Sequence, residues 1–347
     1  LDPQQQILTP HEVDRVFVGL QSPTDSVYSE DVTERLFSAL DFPLGKKAVG
    51  KEELCDYSDI LAQVKYIFTT WGMFSLTEVE IKRIFPALKG VFYAAGSVQS
   101  FAKQFLACGV SVYSAWAANA VPVAEYTFAQ ITLANSGFFG RLHVPGEAGW
   151  ENRDNGLPYP GNYEATVGII GAGMIGSMVA EKVLDSLQRM KVIVFDPFLS
   201  DERAEKLDVR KCSLEELFET SDVITNHLAN NAQTVGMLNY RLFSMMKPYA
   251  AFINTGRGAQ VVEDDLCRAM KEVPTRTAVL DVTVSEPPAP DSEFYRLKNV
   301  YLTPHVAGSL GNEVHRMSEY MYEEFQRVSN GEPARYSVTE KMLKTMA

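Results

Sequence analysis

Alternating apolar strand-like and helix-like segments along 347 residues predict an α/β protein made of two doubly wound, parallel-sheet domains. Three observations carry this expectation. An apolar strand, Thr166-Val167-Gly168-Ile169-Ile170, runs straight into Gly171-Ala172-Gly173-Met174-Ile175-Gly176, a G-x-G-x-x-G turn that opens a helix. A second apolar run, Val192 to Phe195, ends at Asp196, twenty residues beyond Gly176. The residues before the turn are too many to be an extension of one core, so they form a second α/β domain.

In chain order, Arg15 to Leu20, Val64 to Phe68 and Gly90 to Ala94 read as the strands of the first domain, each ending in a polar or glycine-containing loop. Val121 to about Asn135 is rich in Ala, Val and Ile with few charges, and predicts a long, largely buried helix. A Gly- and Pro-rich loop, Gly137 to Gly161, leads to the turn. After Asp196, the segments Asp222 to His227, Ala251 to Thr255, Ala278 to Val282 and Val300 to Pro304 bring the second sheet to about six strands, the number a dinucleotide-binding sheet needs. Ser309 to Ser329 reads as one helix stopped by Asn330-Gly331-Glu332-Pro333, and it returns the chain to the first domain.

The turn has a physical reading. Gly171 permits the sharp bend from strand to helix, Gly173 removes the side chain that would keep a pyrophosphate from the backbone, and Gly176 lets helix and strand approach. The pyrophosphate then meets free N–H groups at a helix N-terminus, with Met174 and Ile175 contributing theirs. Asp196 accepts hydrogen bonds from the hydroxyls of the adenosine ribose. It would repel a 2′-phosphate, and Pro197, Phe198 and Leu199 supply no Arg to receive one, so NAD is favoured over NADP.

Composition narrows the classes. With 46% hydrophobic and 22% charged residues the chain reads as soluble and globular, and a formal net charge of −12 argues against nucleic acid or an anionic membrane as partner. Cys55, Cys108, Cys212 and Cys267 show no paired or metal-ligating spacing, which fits a reducing compartment, and all four read as small buried apolar residues. The start, Leu1-Asp2-Pro3, has no basic or apolar leader pattern, and no run is long enough to span a bilayer. The expectation is a cytoplasmic protein without metal.

Three ionisable residues fall at the C-terminal ends of successive strands of the second domain, or just beyond: Arg257 in Asn254-Thr255-Gly256-Arg257-Gly258, Glu286 in Val284-Ser285-Glu286-Pro287, and His305 in Thr303-Pro304-His305-Val306. That edge is where a nicotinamide lies. In this order behind the fingerprint and Asp196, these motifs resemble the D-isomer-specific 2-hydroxyacid dehydrogenase family. The likeness runs from about Val91 to the C-terminus, and takes in Asn119 to Tyr126 and Phe243 to Pro248; before Val91 it is one of layout only.

The resemblance implies a Rossmann NAD-binding domain, residues 121–308, inserted into a flavodoxin-like substrate domain made of 1–120 plus 309–347. It also implies a dehydrogenase that interconverts a 2-oxo acid and an (R)-2-hydroxy acid, closing its domains over the substrate. Arg257 offers a planar fork to a substrate carboxylate and carbonyl, His305 gives or takes the proton, and Glu286 bonds the second imidazole nitrogen, fixing its tautomer. Asp281 is implied to contact the nicotinamide amide, Thr255, Arg257, His305 and Gly308 the cofactor, and His227 its adenosine half without a catalytic part. Formate oxidation, which the wider superfamily performs with glutamine beside the histidine, is disfavoured by Glu286.

In the first domain the loop Gly96-Ser97-Val98 is a candidate carboxylate cradle; it departs from the Gly-x-Asp pattern more common in the family. Trp71 and Trp116, expected in loops, read equally as pocket lining or as core. His11, His143 and His315 read as surface or packing residues. The chain is expected to form a homodimer through the cofactor domain. The alternative from another class is an NAD(H)-sensing interaction protein like the family's corepressors; against it stands the absence of a long polar tail before Ala347.

Overall fold

The computed structural model describes residues 15–18, 26–142 and 159–344. The chain divides into two compact units, residues 1–119 with 309–346 and residues 120–308.

The first unit holds five parallel strands, β1 (Arg15–Val18), β2 (Ala48–Val49), β3 (Tyr66–Thr69), β4 (Gly90–Tyr93) and β5 (Ser111–Ser114), in the order β2-β1-β3-β4-β5. This is the flavodoxin-like order. Its core is aromatic. Phe92 stacks between Phe68 and Tyr113 at 5.3 and 4.7 Å, and Phe325 meets Phe68 and Phe92 edge-on at 5.5 and 5.4 Å. Phe325 belongs to the helix Val314–Ser329, so this last helix completes the first unit's core. Glu324, fully buried one residue before it, accepts hydrogen bonds from the N–H groups of Arg335 and Tyr336 at 2.8 Å. The segment so held bridges antiparallel to β5 through Tyr113 and Ser337.

Three of these strands were legible in the sequence, although Gly19 and Leu20 of the first lie outside the described residues. β2 is two residues long and carries no period, and Ser111 and Ser114 hide β5. The expected helix from Ser309 begins at Val314, after a 3-10 turn over Gly311–Glu313.

The second unit holds seven parallel strands: β6 (Thr166–Ile170), β7 (Lys191–Phe195), β8 (Arg210–Lys211), β9 (Val223–Asn226), β10 (Ala251–Asn254), β11 (Thr277–Leu280) and β12 (Val300–Leu302), ordered β12-β11-β10-β9-β6-β7-β8. The order reverses between β6 and β9, which puts the switch point of a doubly wound sheet there. About six strands were expected; the seventh, β8, is a charged, exposed pair at the edge, where no apolar pattern is needed. Alternate residues serve the two faces: Phe252 belongs to one apolar cluster with Phe218, Phe243 and Met270, while Ile253 belongs to another with Val167, Val179 and Val194.

The long helix spans Trp116–Asn135, starting five residues before the sequence suggested, with Pro122 inside it. Phe138–Arg141, expected as loop, is one helical turn, and residues 143–158 of that loop, with His143, lie outside the described residues, as does His11.

Candidate active site

Strand register lines up the candidates. Ile170 pairs with both Phe195 and Asn226, Asn226 with Asn254, and Asn254 with Leu280. The next residue of each strand is therefore at one sheet edge: Gly171, Asp196, His227, Thr255 and Asp281.

Each fingerprint glycine has a distinct steric reason. Gly171 sits at φ 88°, in the left-handed region, and a Cβ there would lie 2.9 Å from the His227 carbonyl oxygen. A Cβ on Gly176 would lie 2.0 Å from the Gly171 carbonyl oxygen, closer than any side chain permits. A Cβ on Gly173 would meet nothing within 4 Å; it would project into the open space before the helix Met174–Ser186, whose cap makes no side-chain hydrogen bond. That open cradle, with free N–H groups behind it, fits a dinucleotide pyrophosphate.

Asp196 accepts from the N–H of Ala172 and from that of Phe198, each at 2.8 Å, which orients its carboxylate beside the glycine turn. Arg203, seven residues on, donates to Ser177 Oγ at 2.8 Å, so a guanidinium does reach this turn although none follows Asp196 directly in sequence. His227 is half-buried with its Nδ1 enclosed: Nε2 bonds Thr225 Oγ1 at 3.0 Å, Nδ1 has no partner among the described residues, and burial pushes the imidazole down to about 3. A neutral, fixed ring suits a wall of a cofactor site and not proton transfer. Met174 is exposed and Ile175 partly buried.

The His305 and Glu286 side chains meet, Nδ1 to Oε2 at 2.7 Å, both partly open to solvent. His305 has φ 54°, a left-handed backbone that for a non-glycine residue costs on the order of 1–3 kcal/mol. Asp281 holds it there. The Asp281 carbonyl accepts from His305 N at 3.0 Å, and its buried carboxylate accepts from Thr303 Oγ1 (2.6 Å), Val306 N and Ala307 N (both 2.9 Å). The carboxylate expected at the nicotinamide is thus engaged with the loop that carries His305, and Gly308 closes that loop.

Arg257 lies on the neighbouring loop. Its Nη1 donates to the Gly256 carbonyl at 2.8 Å, burial holds the guanidinium below its ordinary value, and the Glu286 carboxylate opposes that effect. The two loops touch through Gly258, where a Cβ would lie 2.0 Å from the Thr283 carbonyl carbon. Val284 N in turn donates to Glu263 Oε1 at 2.8 Å. The helix Trp116–Asn135 supports both sides: Thr127 Oγ1 is 2.9 Å from Thr255 Oγ1, and Tyr126 Oη is 2.9 Å from Thr303 Oγ1. Tyr126, Thr127, Thr303, Asn226 and Gln260 escaped the sequence reading. Their contacts join strands distant in sequence, and no local pattern announces them.

In the first unit, the N–H groups of Gly96, Ser97 and Val98 have no acceptor among the described residues, while the Val98 side chain is buried in the core. Asn119 flanks Gly96 and accepts from Ser309 N at 3.1 Å. Trp71 is 39% exposed in the turn after β3. Trp116 corrects the expectation of a loop: it opens the long helix and packs edge-on against Tyr336. The cysteines are corrected too. Cys267 is buried, Cys108 and Cys212 are intermediate, and Cys55 is exposed at a polar turn. Among the described residues no helix is long and apolar enough to cross a membrane.

Residues 141–307 match the family described as D-isomer specific 2-hydroxyacid dehydrogenase, NAD binding domain. Over 231 residues, 66% of this chain and 43% of the relative, the sequence is 32% identical to D-3-phosphoglycerate dehydrogenase of Archaeoglobus fulgidus. Over 182 residues, 52% of this chain and 54% of the relative, it is 32% identical to glyoxylate reductase of Korarchaeum cryptofilum. The chain thus spans about half the length of these curated relatives. D-mandelate dehydrogenase of Rhodotorula graminis shares the fold, with a TM-score of 0.76 over 94% of this chain and 98% of that one at 18% identity. Residues 141–307 are an NAD-binding domain of the D-isomer-specific 2-hydroxyacid dehydrogenase family.

Proposed function

We propose that this protein is an NAD-dependent oxidoreductase that interconverts a 2-oxo acid and the matching (R)-2-hydroxy acid. The observation that carries the reading is the 2.7 Å hydrogen bond between His305 Nδ1 and Glu286 Oε2, made beside the Arg257 loop at one edge of the NAD-binding sheet. When bound, NAD supplies hydride transfer at the substrate carbon.

The protein's residues do the rest. Glu286 accepts a hydrogen bond from His305 Nδ1–H, which fixes the tautomer and leaves Nε2 for the substrate. In reduction the imidazolium donates its Nε2 proton to the carbonyl oxygen as that oxygen becomes a hydroxyl; in oxidation the neutral ring takes the proton back. Arg257 donates to the substrate carboxylate and carbonyl oxygen and neutralises the charge that develops there. Partial burial of the guanidinium strengthens this interaction. In the first unit, the free N–H groups of Gly96, Ser97 and Val98 are the candidates for a carboxylate. Asp196 favours NAD, since a 2′-phosphate would meet its charge. Homodimer formation through the NAD-binding unit is the accompanying expectation, and a monomer in sedimentation overturns it.

Reduction of a panel of 2-oxo acids tests the reading, with NADH and NADPH in parallel: glyoxylate, pyruvate, hydroxypyruvate, its 3-phosphate and phenylpyruvate. The names of the two relatives put glyoxylate and the 3-phosphate first. Turnover with NADH supports the reaction class. NADH binding with silence across the panel removes it.

A further inference from the structure

We propose that Asn226 and Gln260 are positioning residues for Arg257: a buried amide pair holds the backbone from which the guanidinium extends. The inference rests on Arg257 being the substrate clamp. Asn226 ends β9, Asn254 ends β10 beside it, and Gln260 closes the 3-10 turn Gly258–Gln260 that follows Arg257; all three are at most 1% exposed.

Asn226 Nδ2 donates to Asn254 Oδ1 at 3.0 Å and to Gln260 Oε1 at 2.5 Å. Each acceptor takes a second hydrogen bond from the Arg257 loop, Asn254 Oδ1 from Gly256 N at 3.1 Å and Gln260 Oε1 from Arg257 N at 3.2 Å. Asn254 Nδ2 donates to the Arg257 carbonyl at 3.3 Å. Both peptide groups flanking the Arg257 Cα are therefore tied to side-chain amides. The far side of the network closes on the turn after β9, where Gln260 Nε2 donates to the Leu228 carbonyl at 2.7 Å and Asn226 Oδ1 accepts from Leu228 N at 3.3 Å.

The surroundings make the choice of residues informative. Leu238, Phe252 and Val261 belong to the apolar cluster on this side of the sheet, where aliphatic side chains at 226 and 260 would be buried without polar cost. Amides there must have their donors and acceptors satisfied, and here they are satisfied by one another, by Asn254 and the Leu228 turn, and by the Arg257 N–H. Gly256 lies directly on the pair: a Cβ would be 3.0 Å from Asn226 Nδ2 and 3.1 Å from Gln260 Oε1. A planar fork binding a planar carboxylate tolerates little displacement, so the network sets where that fork starts.

Two variants test this. Gln260→Met strands the Asn226 donor and the Arg257 N–H, and a lower thermal midpoint is expected. Asn226→Leu with Gln260→Met removes the stranded side-chain amide, so the midpoint recovers in part, while the Arg257 N–H still lacks the Gln260 acceptor and Asn254 alone holds the loop. In the double variant the KM for the 2-oxo acid is expected to rise roughly tenfold with a lower kcat. The Kd for NADH stays within about twofold, and the Gly256 and Arg257 amides exchange hydrogen about tenfold faster or more. A double variant with wild-type KM overturns the proposal, whether or not amide exchange has changed. If the wild-type protein reduces no 2-oxo acid, the reaction reading has failed instead, and amide exchange alone decides whether the pair anchors the loop.

Discussion

The Cβ position of Gly258 lies 2.0 Å from the carbonyl carbon of Thr283, so the loop bearing Arg257 and the loop bearing Glu286 are in backbone contact with no room for a methyl group. Gly258→Ala must separate them. The obstacle is main chain and cannot rotate away. A fall of about a hundredfold in kcat/KM is expected from a displacement on the order of 1 Å, with about 1–3 kcal/mol lost in stability. Steady-state kinetics beside denaturant unfolding checks both, and near-wild-type turnover refutes the coupling of the loops.

His305→Ala is expected to lower kcat by about a hundredfold to ten-thousandfold, with NADH affinity unchanged. Glu286→Gln keeps the shape of the partner at 2.7 Å but loses its charge, and a smaller loss, about tenfold to a hundredfold, is expected. The ranking is the point. Stopped-flow reduction of the preferred 2-oxo acid reads it, and a His305→Ala protein that still turns over removes histidine from the chemistry.

Two glycines three residues apart should behave in opposite ways. Gly173→Ala adds a methyl group to open space, so the apo protein should melt as wild type does while NADH binding weakens at least about tenfold. Gly176→Ala drives a methyl group to 2.0 Å from a carbonyl oxygen and should destabilise the fold itself. Thermal unfolding with NADH titration separates the cases. Tight NADH binding by Gly173→Ala would remove the pyrophosphate cradle from this turn.

Burial holds His227 at about 3, against 6.5 for a free imidazole. As pH falls below 6.5 the unfolded chain takes up a proton that the folded chain refuses until about 3. Stability from this residue is therefore complete above 6.5 and declines toward acid, by about 1.4 kcal/mol per pH unit in that window. His227→Gln should flatten that part of the profile, as measured by urea unfolding at a series of pH values. Equal slopes for the two proteins would mean that the ring titrates normally.

What the sequence made legible was whatever is local. Gly171, Gly173, Gly176 and Asp196 announce themselves because one turn and the next strand end fit into thirty residues, and their geometry follows from sterics. Arg257, Glu286 and His305 were legible as strand-end residues in order, and the contact between the last two joins loops nineteen residues apart. Asn226 and Gln260 were not, since a polar residue at the end of a strand or in a turn reads as loop. The register of β9 with β10 sets Asn226 beside Asn254, and the fold brings the turn residue Gln260 in beside them. The exposed Cys55 shows the same weakness in reverse, because a small apolar side chain carries no period to say which way it faces.

Tyr126 and Thr127 are consecutive residues of a helix, and one bonds to the threonine ahead of His305 while the other bonds to the threonine ahead of Arg257. The rise between them is about 1.5 Å and stiff. Thermal wandering of either loop is thereby referred to the same rigid rod, and the two displacements become correlated. With His305 and Arg257 in their proposed roles, it is the separation of the two loops, not either position, that a substrate spanning both would feel.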